Sequence, residues 1–279
     1  MNAAASPAGH TVEARRPVSQ TVVLLSSSDN TIDVGVQVAA AFDRLWPDCP
    51  YPRFALTTTA QRSWSIPGWN HLVAGQTLGW REELRLGLLA LPASACHVLL
   101  VLDDFLVLAP VDTARVISLV KEAESRDLPY LRLKPVDRSI AGNLIWKVRT
   151  KPGIAVLKSS EPYYASLQLA VWRRNHLLTM LSQPGSIWDF EHQRMWTETH
   201  YAVTRRGPIR YVHVVEKGKW MPYAARAFSE AGVPFDRGMR TAWARRYMVL
   251  HMMRKMRFAL FGYSFMRLRY FMKPRKIGT

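Results

Sequence analysis

The stretch Cys96-His-Val-Leu-Leu-Val-Leu-Asp-Asp-Phe-Leu-Val-Leu108 decides how the rest of the chain is read. Cys96 to Leu102 is nearly all apolar, as a strand is when both of its faces are covered. The run is halted by Asp103-Asp104 and resumes as Phe105-Leu-Val-Leu. Two carboxylates at the end of a buried strand cannot cheaply stay charged without a cation or hydrogen-bond donors. An oxygen-ligated Mg²⁺ or Mn²⁺ that also bridges a diphosphate would compensate them. Capping of the next turn and pairing with Arg or Lys would do so too.

Upstream of this stretch, strands and helices alternate. Thr21-Val-Val-Leu-Leu25 reads as a buried strand emptying into the polar loop Ser26-Ser-Ser-Asp29. Ile32 to Trp46 has apolar residues at helical spacing and stops at Pro47. Arg53 to Thr57 is a second strand, leading into Thr58-Thr59. Trp80 to Leu91 is a helix stopped by Pro92. Downstream, Pro110 to Arg126 is helical and Pro129 to Leu133 is a fourth strand. The alternation predicts an α/β layer built on a mainly parallel sheet. Beyond residue 135 the pattern loosens. Asn143 to Val148 and Gly153 to Leu157 read as a hairpin, Ser166 to Leu181 as a helix, Ser186 to Arg194 as the start of another, and Ile209 to Val215 as a strand.

Composition narrows the class. At 279 residues the chain is near the limit of one hydrophobic core, roughly 250–300 residues, so one domain with an appendage is expected. Ten Trp, ten Tyr and ten Phe exclude a chain disordered throughout. Two cysteines, Cys49 and Cys96, exclude a disulfide framework or an all-Cys zinc site and fit a reducing cytoplasm. Residues 1–19, without an apolar run, read as a flexible extension rather than a secretory signal. No stretch reaches the roughly 18 apolar residues of a membrane span. Lys and Arg number 38 against 21 Asp and Glu, a net charge of +17. Twelve of those bases and no acid fall in residues 237–279, which leaves +5 for residues 1–236. So basic a tail calls for an anionic partner.

In open α/β sheets ligands bind beyond the carboxyl ends of the strands. Ser26 to Asp29, Thr57 to Thr59 and Asp103-Asp104 all stand at such ends. Leu102-Asp-Asp-Phe105 resembles the aspartate motif of GT-A glycosyltransferases, and the chain resembles the bacterial enzymes of capsule, exopolysaccharide and lipopolysaccharide assembly. Further matches follow in order over residues 20–225. They are Ser27-Ser-Asp29, Trp46-Pro-Asp-Cys-Pro-Tyr51, Trp80, Tyr130-Leu-Arg-Leu133, Ser166-Leu-Gln168 with Trp172-Arg-Arg174, Trp188-Asp-Phe-Glu191, and Glu216-Lys-Gly-Lys-Trp220. The family signature separates its two acids by one residue; here they are adjacent and followed by Phe105.

The resemblance implies a GT-A-like, Rossmann-like domain over residues 20–236 and transfer of a sugar from a nucleotide-diphosphate donor to a saccharide or lipid-linked acceptor hydroxyl, with inversion expected. Asp104 would hold Mn²⁺ or Mg²⁺, with Asp103 as a second ligand or nearer the ribose. Ser26, Asp29 and Thr57 would touch the nucleoside and Trp80 would pack near it. Glu191 would be the base, with Asp189 in reserve, since flanking aromatics can raise a carboxylate's pKa; both also suit the first turn of a helix. Lys217 and Lys219, around Gly218, would balance the leaving phosphates, helped by His213; a solvated turn is the plainer reading. Arg173-Arg174 could reach the acids or be surface charge. A nucleotidyltransferase using the same acids is the alternative enzyme. His192 and His200 form no metal set, no nucleophile elbow surrounds Ser27 and Ser28, and no phosphate-cradling Gly-rich motif follows the first strand.

The tail from Arg240 to Lys276 mixes Trp, Tyr, Phe, Met and Leu with Arg and Lys. It suits an interfacial helix at an anionic membrane, which would place the protein on the inner face of the cell membrane. Packing on the catalytic body and nucleic-acid binding are the other readings, the latter making a non-catalytic binder the alternative from outside the enzymes.

Overall fold

A computed structural model describes residues 21–60, 68–136, 144, 151–159, 164–183, 185, 187–192 and 198–261. The predicted N-terminal extension and the last eighteen residues lie outside these. The elements are β1 (Thr21–Ser26), α1 (Ile32–Leu45), β2 (Arg53–Thr57), β3 (Trp69–Val73), α2 (Trp80–Ala90), β4 (His97–Leu102), β5 (Phe105–Val107), α3 (Thr113–Ser125), β6 (Tyr130–Arg132), β7 (Ile154–Val156), β8 (Ala170–Arg173), α4 (Arg174–Leu181), α5 (Ile187–His192), β9 (Tyr201–Val203), β10 (Tyr211–His213), β11 (Val215–Glu216), β12 (Lys219–Trp220), α6 (Ala224–Ala231) and α7 (Arg245–Phe261).

Eight strands form one mixed sheet in the order β3-β2-β1-β4-β8-β6-β9-β7. The β3–β2, β2–β1, β1–β4 and β6–β9 pairs are parallel; β8 and β7 run against their neighbours, so six of the eight strands point one way. The chain winds outward from β1 through β2 to β3, then returns to lay β4 on the other side of β1. That reversal makes the gap between the carboxyl ends of β1 and β4 the switch point of the sheet.

The central strands alternate between two cores, as a period of two requires. Val23, Leu25, Leu99 and Val101 face a core filled by Val38, Phe42 and Trp46 of α1 and its end, Val116 and Val120 of α3, and Phe228 of α6. Val22, Leu24, Val98 and Leu100 face a second core with Leu84 and Leu88 of α2, Leu177 of α4 and Phe190 of α5. With helices on both faces, β1 and β4 read as continuous apolar runs, and that is why their sequences were legible.

Two expectations need correction, and a third falls partly outside the described residues. Ser166 to Leu181 is not one helix: Ala170–Arg173 is strand β8, antiparallel to both β4 and β6, and only Arg174–Leu181 is helical. Of the predicted hairpin, the arm at Asn143–Val148, Leu144 apart, lies outside the described residues, and the other arm, as Ile154–Val156, pairs with Tyr201–Val203. The helix expected from Pro110 starts at Thr113, where the side chain of Asp112 accepts a hydrogen bond from the Arg115 backbone N–H at 3.1 Å and caps it.

Candidate functional site

At the switch point the end of β1 is fastened to the end of β4. The Asp103 backbone N–H donates to the Ser26 carbonyl at 3.2 Å, and Ser27 Oγ donates to Asp103 Oδ2 at 2.8 Å. The Asp103 carboxyl lies deep, although the residue keeps some exposed surface. Burial, and next the charge of Asp104, push its pKa up to about 7; the Thr31 and Ser27 hydroxyls and the charge of Arg240 act in the opposite direction.

Asp104 is held differently. Its Oδ2 stands 3.4 Å from His213 Nδ1, and its Oδ1 is buried without a hydrogen-bond partner among the described residues. Among the described residues no arginine stands within hydrogen-bond reach of either carboxylate. The histidine is in place because β5, which begins immediately after Asp104, pairs antiparallel with β10, setting Phe105 opposite His213. The Val214 N–H then donates to the Asp104 carbonyl at 2.9 Å.

An unpaired buried carboxylate oxygen is costly and is suited to a cation. Among the described residues no group of three or more His, Cys, Asp or Glu side chains is assembled to hold an ion. Among the described residues the donor set is thus a partial one. It fits an ion that takes water and substrate phosphates as its other ligands, as Mg²⁺ commonly does.

The other candidates fall around this edge. Asp29 joins the β1 loop to the β2 loop: its Oδ1 accepts from the Thr58 and Thr59 backbone at 3.2 and 3.1 Å, and its Oδ2 from Thr59 Oγ1 at 2.5 Å. Thr57 is buried at the strand end, and the hydroxyls engaged in the loops are those of Thr58 and Thr59, which the motif matches did not single out. Thr58 Oγ1 donates to Glu83 Oε2 at 3.0 Å, and Glu83 Oε1 accepts from the Leu78 and Gly79 N–H groups, so the start of α2 is tied to the same edge. Trp80 stands there with its ring edge-on to Phe190, 5.6 Å between centroids.

Glu191 reaches this edge from α5. Its Oε1 accepts from Ser166 Oγ at 3.2 Å and from the Leu167 N–H at 3.0 Å. Because β8 is antiparallel to β4, the chain entering β8 lies beside the carboxyl end of β4. Gln168, next along, accepts from the Tyr211 hydroxyl at 3.3 Å, and the Tyr211 ring rests 4.9 Å from Phe105. Glu191 and Asp104 are thus linked through one short run of contacts. Asp189 is exposed, with the charge of Arg81 nearby.

Lys217 and Gly218 are the two central residues of the β11–β12 turn, with φ of 51° and 74°. Positive φ at both is what a tight two-residue hairpin demands, and Gly218 meets it without strain. Both lysines are exposed; the Lys219 ammonium sits 4.9 Å from the centre of the Trp243 ring. Arg173 and Arg174 are not here. They line an open cavity of about 580 Å³ at the amino end of β4, with Arg173 paired to Asp127 and Glu198 and Arg174 donating to carbonyls at the end of α2. His200 is in the core, its Nε2 2.8 Å from that of His176; the His192 side chain lies outside the described residues.

The chain is an open α/β protein with a carboxylate pair at its switch point. No protein-family model and no curated protein matches it. Solved structures overlap it in part. A fragment of Staphylococcus aureus TarS (residues 1–349) gives a TM-score of 0.46 at 10% identity over 68% of this chain, which spans 59% of that fragment's length. The same fragment in complex with UDP-GlcNAc gives 0.45 at 9% identity, covering 72% of this chain and 60% of that one. The 4-diphosphocytidyl-2C-methyl-D-erythritol synthase of Anaerococcus prevotii gives 0.42 at 6% identity, covering 76% and 95%. These overlaps are partial.

Proposed function

We propose that the chain is a GT-A-type glycosyltransferase that moves a sugar from a nucleotide-diphosphate donor to a saccharide or lipid-linked acceptor in surface-polysaccharide assembly. One observation carries the reading: the buried Oδ1 of Asp104, which has no hydrogen-bond partner among the described residues, next to Asp103 at the switch point of an α/β sheet. Residues 20–236 form the catalytic body in this reading, and residues 237–279 form a basic tail.

The nucleoside lies against the β1 and β2 loops, with Ser26, Asp29 and Thr57 beneath it and Trp80 at its side. A divalent ion, Mn²⁺ or Mg²⁺, held by Asp104 with Asp103 in support, would neutralise charge on the leaving diphosphate. Lys217 and Lys219 add positive charge from the neighbouring turn. Glu191, or Asp189 in its place, takes the acceptor's hydroxyl proton. The acceptor oxygen then bonds to the anomeric carbon as the bond to the phosphate oxygen breaks, with inversion. The tail keeps the protein at the anionic inner face of the cell membrane, within reach of a lipid-linked acceptor.

The test is thermal unfolding of the full chain with a panel of nucleoside diphosphates, with and without Mn²⁺. A ligand at 100 times its Kd stabilises the native state by roughly 2.7 kcal/mol, so one or more should raise Tm, and Asp104→Asn should remove the Mn²⁺-dependent part. No shift from any nucleoside diphosphate removes the donor reading. Mass spectrometry of products from a mixed pool of nucleotide sugars and nucleoside triphosphates separates sugar transfer from nucleotidyl transfer.

A further inference from the structure

The segment that follows α6 returns across the edge just described. Gln37 of α1 and the Asp236 backbone exchange hydrogen bonds of 2.8 Å in both directions. Trp220 Nε1 donates to the Arg237 carbonyl at 2.9 Å, the Trp220 N–H to the Thr241 carbonyl at 2.9 Å, and the Trp243 N–H to the Trp220 carbonyl at 2.9 Å. Trp243 Nε1 donates to the Glu216 carbonyl at 3.0 Å. Residues 236–243 are therefore stitched to α1 on one side and to the β11–β12 hairpin on the other.

Arg240 occupies the middle of this strap with its side chain only 12% exposed. Its Nη2 donates to Asp33 Oδ1 at 2.7 Å and to the Asn30 carbonyl at 2.8 Å; its Nε donates to Asp33 Oδ2 at 3.1 Å; its Nη1 donates to the Gly218 carbonyl at 2.8 Å. One guanidinium thus joins the loop after β1, the first turn of α1 and the turn that carries Lys217 and Lys219. Its positive charge also reaches Asp103. No single ammonium can reproduce this span, because the planar fork addresses partners in fixed and different directions.

We propose that Arg240 is a positioning residue of the donor site: it sets the spacing between the loop after β1 and the Lys217–Gly218 turn, and with it the affinity for a nucleoside diphosphate. The inference rests on the donor-site reading above. It adds that the first residues of the basic tail belong to the site, so a truncation meant to remove the tail alone has to begin after Trp243.

The experiment is isothermal titration of the full chain with the nucleoside diphosphate that stabilises wild type, with Mn²⁺. It compares wild type, Arg240→Ala, Arg240→Lys, Asp33→Asn, the Arg240→Ala/Asp33→Asn pair, and Arg226→Ala, an exposed arginine of α6, as control. The ligand-free Tm of each variant is recorded alongside. The expected result is at least a tenfold weaker Kd for both Arg240 variants, without rescue by lysine. Asp33→Asn should be weakened as well, and the double variant little weaker than Arg240→Ala alone. In turnover, the donor KM should rise by a similar factor while kcat changes by less than threefold. Arg240→Ala or Arg240→Lys within twofold of wild-type affinity overturns the proposal, as does a loss that lysine restores. Wild type that binds no nucleoside diphosphate overturns the donor-site reading along with it; wild type that binds alongside unaffected variants overturns this proposal alone. Should Arg240→Ala fail to fold, Arg240→Lys and Asp33→Asn decide the matter.

Discussion

Asp103 and Asp104 are adjacent in sequence but do different things. Asp103 fastens two strand ends through the Ser27 hydroxyl, whereas Asp104 keeps one buried oxygen unsatisfied. Glu191 accepts from the Ser166 hydroxyl and the Leu167 N–H, contacts that fix the orientation of its carboxylate, and it is the base in the proposed reaction. Glu191→Gln keeps the shape and removes the base, so kcat should fall by about 10²–10⁴ with donor Kd unchanged; unchanged turnover dismisses the assignment. A second residue-scale prediction concerns His97, whose ring is buried at the start of β4. Burial holds its pKa below the ordinary 6.5, against the pull of Glu124 and Asp127. The unfolded chain therefore takes up this proton first as pH falls. The stability His97 contributes is complete above pH 6.5 and is lost below it, at up to about 1.4 kcal/mol per pH unit. Urea midpoints at pH 8 and pH 5 should lie closer together in His97→Leu than in wild type. The position of Asp103 and Asp104 at the end of β4 was legible because that strand is a continuous apolar run, whereas Glu191 was named from the family resemblance. Arg240 was not legible, because its partners at residues 30, 33 and 218 come from a loop, a helix start and a turn that only the folded chain brings together.

Elements were legible where burial imposes a pattern on the sequence. β1 and β4 are covered on both faces; α1 and α2 have apolar residues at helical spacing and a proline just beyond their ends. β8 defeated the reading because Leu169, Ala170, Val171 and Trp172 are all buried, and a continuous apolar run suits a strand or a buried helix equally. Pairing with β4 and β6 settles it: Val171 faces one core while Ala170 and Trp172 face the other. β3 was missed for the opposite reason, since Asn70, His71 and Val73 of this edge strand are exposed and leave no apolar signature. Two glycines let the packing between elements be tested. A Cβ on Gly207, in the link from β9 to β10, would fall 1.9 Å from the Leu133 carbonyl oxygen, which is backbone and cannot swing aside. Gly207→Ala should cost about 1–3 kcal/mol. A Cβ on Gly87 of α2 would fall 2.7 Å from a Leu56 methyl group, which can rotate, and alanine favours the helix. Gly87→Ala should therefore lower Tm less than Gly207→Ala; the reverse order would show that the link between β9 and β10 yields more readily than the core does.

At the scale of the whole molecule the charge is divided as unevenly as the sequence implied. α7 carries five basic residues and no acid, and with the segment before it follows a body of small net charge. No described helix is long and apolar enough to cross a membrane. Yet Val249, Met252, Met253, Met256 and Leu260 recur at three- and four-residue spacing, which puts them on one face of α7, and all are exposed. Leu250 is exposed on another side of the helix, so its apolar and basic residues are only weakly segregated and the proposed membrane contact rests chiefly on charge. Each Lys or Arg near an anionic surface contributes about 1 kcal/mol, and that contribution fades within a Debye length, about 8 Å at physiological salt. The full chain should therefore sediment with phosphatidylglycerol vesicles at low salt and far less with phosphatidylcholine vesicles, with part of the binding lost in 0.5 M NaCl. A chain ending at Trp243 should lose the vesicle binding and keep the nucleoside-diphosphate affinity, because the strap that holds Arg240 is intact. Vesicle binding that survives this truncation would move the membrane contact off α7 and onto the body; a soluble full chain at low salt would leave the exposed apolar face for a protein surface instead.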